Sequence, residues 1–140
     1  MLEINYVAVL VAVVANFFLG YLWYTPLFGK VWAKEMGYDL NEKPNTGVMI
    51  QGMIYMVIGN FFLAYVFAHN IIAWSFVPGM EDMGPLGNIV NSALFTWLGF
   101  YVPGHLGATV WEKKSWTLTI INGGYHLAAL FVVASILILM

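Results

Sequence analysis

Apolar residues in this chain fall in long blocks rather than in strict alternation or narrow amphipathic stripes. Four blocks have the length, about 20 residues, that a helix needs to cross a hydrocarbon core of about 30 Å. The first covers residues 4–25 and is stopped by Pro26; the second, 46–69, begins just after Pro44. The third, 87–111, has to continue through Pro103, Gly104 and Gly107, so it is expected as a kinked helix. The fourth, 116–140, carries no charged residue. This pattern predicts one all-α domain over residues 1–140, a polytopic membrane protein of four transmembrane helices. The start lacks the basic residues of a cleavable signal peptide, with no lysine before Lys30, and the first block reads as a retained span.

Between the blocks lie a polar loop, an opposite loop punctuated by Pro78, Gly79, Gly84 and Pro85, and a short link around Glu112 to Ser115. In the first loop Phe28, Val31, Trp32 and Met36 recur at helical spacing while Lys30, Lys34 and Glu35 face away, which predicts a short interfacial helix. Lys30, Lys34 and Lys43 fall in this loop and Lys113 and Lys114 in the third, and no other segment carries a lysine. The positive-inside rule then places both lysine-bearing loops in the cytoplasm and both termini outside it. Trp23, Trp32, Trp111 and Trp116 would sit at the cytoplasmic interface and Trp74 at the outer one, with Trp97 the exception inside the third span.

Composition sharpens this picture. The chain is 61% hydrophobic and 9% charged, against about 25% charged in soluble domains, so lipid is its natural solvent and the lipid bilayer its first partner. A net charge of −2 without arginine offers no basic face for nucleic acid. The absence of cysteine removes disulfides, thiolate catalysis and thiolate metal sites.

Tyr24-Thr25-Pro26 followed by Gly29, Val31 and Trp32 has an echo in Tyr101-Val102-Pro103 followed by Gly107, Val110 and Trp111. Two readings are open: a tandem repeat of two helical hairpins with the same orientation, or convergent use of Pro, Gly and Trp at helix exits. The run Leu22-Trp23-Tyr24-Thr25-Pro26-Leu27-Phe28-Gly29-Lys30-Val31-Trp32, with Trp97-Leu98-Gly99-Phe100, Pro103, Trp116 and Ile121-Asn122-Gly123-Gly124-Tyr125, resembles a bacterial membrane family catalogued only as a domain of unknown function. Thr25 stands where serine is expected. The resemblance covers nearly the whole chain, and it implies four spans in a bacterial inner (cytoplasmic) membrane and brings no catalytic residues.

With no water in the hydrocarbon core, a polar group there needs a partner. No Asp, Glu, Lys or Arg lies deep in any span, which argues against a carboxylate-based pump or a hard-oxygen metal site. Counting about 1.5 Å per residue puts Asn16, Asn60, Thr96 and His126 near mid-membrane, with Asn122 one turn from His126. Ala8, Ala12, Asn16 and Gly20 form one line of small residues, and Ser92, Thr96, Gly99 and Pro103 a second, both expected to face into the bundle. Either the polar residues bond across helices, or Asn16, Asn60, Trp97, Asn122, Tyr125 and His126 line one central cavity, with Met49, Met53 and Met56 as an adaptable wall. His69, His105 and His126 count to outer, inner and middle depths, too far apart to share a metal. No cofactor or metal is implied. Ser92 and Ser135 lack a matching base, and Glu81 and Asp82 read as a solvated loop tip.

The missing catalytic groups favour a non-enzymatic structural or interaction subunit that forms a homo-oligomer or joins a larger membrane complex. A small-solute carrier or channel with a midplane site, and a lipid- or quinone-binding enzyme, are the alternatives.

Overall fold

The computed structural model describes residues 3–140, which contain helices and no strand. Six α-helices follow in order: α1 (Tyr6–Leu22), α2 (Gly29–Glu35), α3 (Thr46–Trp74), α4 (Gly84–Thr96), α5 (Val102–Trp111) and α6 (Trp116–Leu139). Side chains begin three of the long ones. Asn5 accepts from the Ala8 amide, Asn45 from Gly47 and Val48, and Ser115 from Leu118, each satisfying donors that a helix start leaves open.

Two π turns interrupt the pattern, at Trp23–Leu27 and Trp97–Tyr101. Their wide hydrogen bonds run from the Phe28 amide to the Trp23 carbonyl, and from the Val102 amide to that of Trp97. Both occur beside a proline, Pro26 or Pro103, whose missing N–H and bulky ring disrupt the α-helical ladder, and a widened turn absorbs the mismatch. The first turn extends α1 into one apolar helix, Tyr6–Leu27.

Three helices are long and apolar enough to cross a membrane: Tyr6–Leu27, Thr46–Trp74 and Trp116–Leu139, of 22, 29 and 24 residues. The third of the four expected spans, 87–111, is not among them. It is helical, but it divides into α4 of 13 residues and α5 of 10 around the second π turn. The same turn corrects the second small-residue line. Ser92 is buried and Thr96 half-buried, but Gly99 and Pro103 are exposed, because a π turn inserts extra residues and rotates everything beyond it off the starting face. The first line, which precedes its π turn, keeps Ala8, Ala12, Asn16 and Gly20 buried. The short helix expected after the first span is α2.

The contiguous core lies at one end. Val9, Ala12 and Val13 of α1, Ala64, Phe67 and Ala68 of α3, Ile89 and Ala93 of α4, and Leu130, Val133 and Ala134 of α6 form it. Its alanines let the helices approach closely, which is how helices gain contact energy where burial from water is not the drive. At this end the Asn5 amide group donates to the carbonyl of Met140 (3.4 Å), placing the first and last helices side by side. The opposite end carries the lysines and is looser. Across residues 46–59 of α3 only Met56 is even partly covered. Ser115, at the start of α6, donates to the Glu35 carboxylate and so fastens α2 to the link between α5 and α6.

Ser115 therefore serves two elements. Ser115→Ala is expected to lower stability by about 1 kcal/mol, the usual cost of a lost N-cap, seen as a lower unfolding midpoint in detergent. Glu35→Gln keeps an acceptor for the hydroxyl and is expected to lose less.

Candidate functional site

The polar candidates separate into two layers instead of lining one cavity. In the inner layer Asn16 of α1 donates to Asn60 of α3 over 2.8 Å, and both are buried. One acceptor, Asn16 Oδ1, and one donor, Asn60 Nδ2, are left without partners. The pair closes the packed end of the bundle, and burial in apolar surroundings makes its single bond strong.

The second layer lies toward the lysines, where the first π turn meets α6. The Trp23 indole N–H donates to the Ile121 carbonyl (3.0 Å) and the Tyr24 hydroxyl to Asn122 Oδ1 (2.9 Å). From the second π turn the Trp97 indole donates to the Gly123 carbonyl (2.8 Å). Tyr24 packs 5.0 Å from Tyr125, and Tyr101 packs 4.6 Å from His126, ring centre to ring centre. Each π turn thus sets an indole on the backbone of α6 and each Tyr-x-Pro a phenol ring against its side chains. Thr96 takes no part in these hydrogen bonds.

Two motif glycines are fixed by space. A Cβ on Gly29 would fall 2.6 Å from the Tyr24 carbonyl oxygen, and one on Gly124 would meet the Trp23 ring at 3.2 Å. Trp32 lies edge-on to Tyr24, with ring centres 5.6 Å apart. Trp23, Tyr24, Pro26, Gly29 and Trp32 therefore form one local device. Pro103 and Trp111, the corresponding residues of the second half, are exposed.

The depth count that separated His105 from His126 is corrected here. Their rings stack with centres 5.1 Å apart and planes 25° from parallel, while His69 lies away from them, bonded to the carbonyl of Tyr65. His105 lies nine residues before Lys114 and His126 twelve after it, so two antiparallel helices joined at that link bring them to similar depth. α5 and the start of α6 form the two arms of that hairpin, closed by the short link at residues 112–115. The chain held a signal for this: equal steps either way from Lys114 reach Thr109 and Thr119, whose hydroxyls bond to each other, then His105 and Gly123, which pack together.

A cleft of about 440 Å³ opens beside the histidine pair. Tyr24, Trp32, Asn122 and the two histidines form its polar and aromatic wall. Met36, Met56 and Leu118 form the apolar one, and Lys114 stands at the edge with its ammonium 2.8 Å from Glu112. Of the methionines expected as a wall, only Met56 reaches the cleft; Met49 and Met53 are exposed. His105 Nε2 is buried without a partner. Among the described residues no three His, Cys, Asp or Glu side chains converge as a metal site would require.

Fold and cleft together define a small all-α protein with three helices long and apolar enough to cross a membrane and an aromatic and histidine-walled cleft at its lysine-bearing end. A protein-family model described as "Protein of unknown function (DUF1761)" matches residues 7–138, and the chain belongs to that family. No curated protein and no solved structure matches it.

The Asn16–Asn60 bond is open to a direct measurement. Asn16→Leu and Asn60→Leu each leave one buried amide alone, whereas the double change removes both. A double-mutant cycle in detergent is expected to show a favourable coupling of about 0.6 to 1.7 kcal/mol; additive losses would mean that the bond contributes nothing.

Proposed function

We propose that this protein binds a planar ring compound bearing carbonyl groups, of the naphthoquinone kind, in the cleft beside His105 and His126. The observation that carries this reading is the stacked histidine pair on the wall of an open cleft with His105 Nε2 unpartnered. A polar atom kept at membrane depth without a bond costs free energy, so a purely structural role would favour pairing it. Trp32 and Tyr24 offer ring faces, Met36 and Met56 adapt to an irregular outline, and the Asn122 amide and imidazole N–H groups can donate to carbonyl oxygens.

The same reading assigns four crossings. Trp74 ends beside the last turns of α6, and Ser115 begins α6 beside Glu35, so the chain from Trp74 to Ser115 has to pass from one end of the bundle to the other. Residues 84–111, helical throughout, rise about 40 Å at 1.5 Å per residue, enough for that passage. The lysine-bearing end, with the cleft, faces the cytoplasm of a bacterial cell and the termini face outward, by the positive-inside rule.

Menadione, binding to the full chain in nanodiscs and followed by equilibrium dialysis, tests the proposal against 2-methylnaphthalene, which has the ring system without the carbonyls. His126→Leu and Asn122→Leu are each expected to weaken menadione at least tenfold, about 1.4 kcal/mol, and to leave 2-methylnaphthalene unchanged. Equal losses for both compounds, or none for either, would reject it.

A second reading, self-association, has its own observation. A Cβ added at Gly52 or Gly59 of α3 would meet no atom within 4 Å, so two helix backbones could approach each other closely there. The chain has no cysteine, so Gly52→Cys gives a single reactive thiol. Oxidation in native membranes is expected to yield a disulfide-linked dimer, with Val14→Cys on the exposed face of α1 remaining monomeric; equal dimer from both positions would indicate random collision.

A further inference from the structure

A separate cavity of about 320 Å³ lies at the terminal end of the bundle, among the ends of α3, α4 and α6. Its chemistry differs from that of the cleft. Ile71, Ile72, Leu137 and Ile138 supply apolar walls, and Trp74 an aromatic one held against Phe95, ring centres 6.2 Å apart. The polar lining comprises Ser75, Glu81, Asn88 and Ser92. Ser75 and Ser92 have already given their hydroxyl protons to the carbonyls of Ile72 and Asn88 (2.7 Å each), which leaves their oxygen lone pairs free. Asn88 Oδ1 is buried without a partner, and Glu81 brings a carboxylate to the cavity.

The loop carrying Glu81 is anchored. Met80 is buried, and its sulfur accepts from the Asn91 side chain over 3.6 Å, so the exposed Glu81 is held at the rim of the cavity. Every lysine of the chain lies at the other end, and Glu81 forms no ion pair among the described residues.

We propose that this cavity binds a small organic ammonium ion, with Glu81 supplying the countercharge and Trp74 the ring face. An anion would meet a carboxylate and oxygen lone pairs. A hard metal ion needs several oxygen ligands and finds only one carboxylate among isoleucine and leucine walls. An alkylammonium group suits both features: its charge is matched by carboxylate and indole, and its methyl or methylene groups by the apolar wall. A trimethylammonium group could arrive as a free solute or as a lipid headgroup, and both present the same atoms.

The full chain in phosphatidylglycerol nanodiscs, titrated with choline by equilibrium dialysis, is the test. Choline is expected to bind, and its uncharged isostere 3,3-dimethylbutan-1-ol is not. Glu81→Gln and Trp74→Leu are each expected to weaken choline at least tenfold, and Trp74→Phe to recover part of the loss by restoring a ring. Asn122→Leu, at the opposite end, is expected to change nothing. In phosphatidylcholine discs, loss of choline binding would identify the headgroup as the occupant, and unchanged binding a free solute; either agrees with the proposal. No choline binding in phosphatidylglycerol, equal binding of the isostere, or full binding by Glu81→Gln would overturn it.

Discussion

The constraint on which this structure depends is the scarcity of hydrogen-bond partners among long apolar helices. A helix meets it for its own amides, but side chains that are polar must find something else. In this chain the solution centres on α6. A helical carbonyl that already accepts the amide four residues on has a second lone pair, and the carbonyls of Ile121 and Gly123 give theirs to the indoles of Trp23 and Trp97. Each bond draws in one of the two π turns, so α6 acts as the axis around which both halves of the chain are gathered.

That arrangement explains why the two ends of the bundle differ. Toward the termini the helices meet through alanine and valine, and the backbones come close enough for a dry core. Toward the lysines the contacts are made by indole, phenol and imidazole rings. Rings packed at angles between 25° and 58° leave irregular gaps, and the cleft occupies one of them. Gly20 marks the boundary: a Cβ there would lie 3.2 Å from the Tyr125 hydroxyl and 3.3 Å from Met56, so a larger residue would push the ring layer away from α1.

Much of this was legible in the chain. Block length and apolarity located the three long helices, Pro26 and Pro44 marked the end of the first and the start of the second, and the spacing of Phe28, Val31, Trp32 and Met36 located α2. Lysine placement anticipated that the first and third links share one end, as the Ser115–Glu35 contact has it. The site was legible only in part. Asn122, Tyr125 and His126 were identifiable from one helical face, but Asn16 and Asn60 pair with each other, and His105 joins His126 from another helix. The facing of the third span was hidden by the second π turn, and the meeting of His105 with His126 by the pairing of α5 and α6 across their short link. A motif of Trp, Gly and Pro signals a disturbance without giving its width, and one extra residue in a turn changes which side chains face inward beyond it.

The two orphaned layers carry different meanings, although both contain unsatisfied atoms. Asn16 and Asn60 are buried and bonded to each other, with one acceptor and one donor of the pair left over. His105 Nε2 is likewise buried without a partner, but its residue lines the cleft. An unpaired atom in a packed layer is a modest cost that specific helix pairing can offset, whereas one beside a cleft is positioned to be completed from outside the chain. This difference, more than the number of polar residues at either depth, is what supports the proposal that the histidine pair is a binding site.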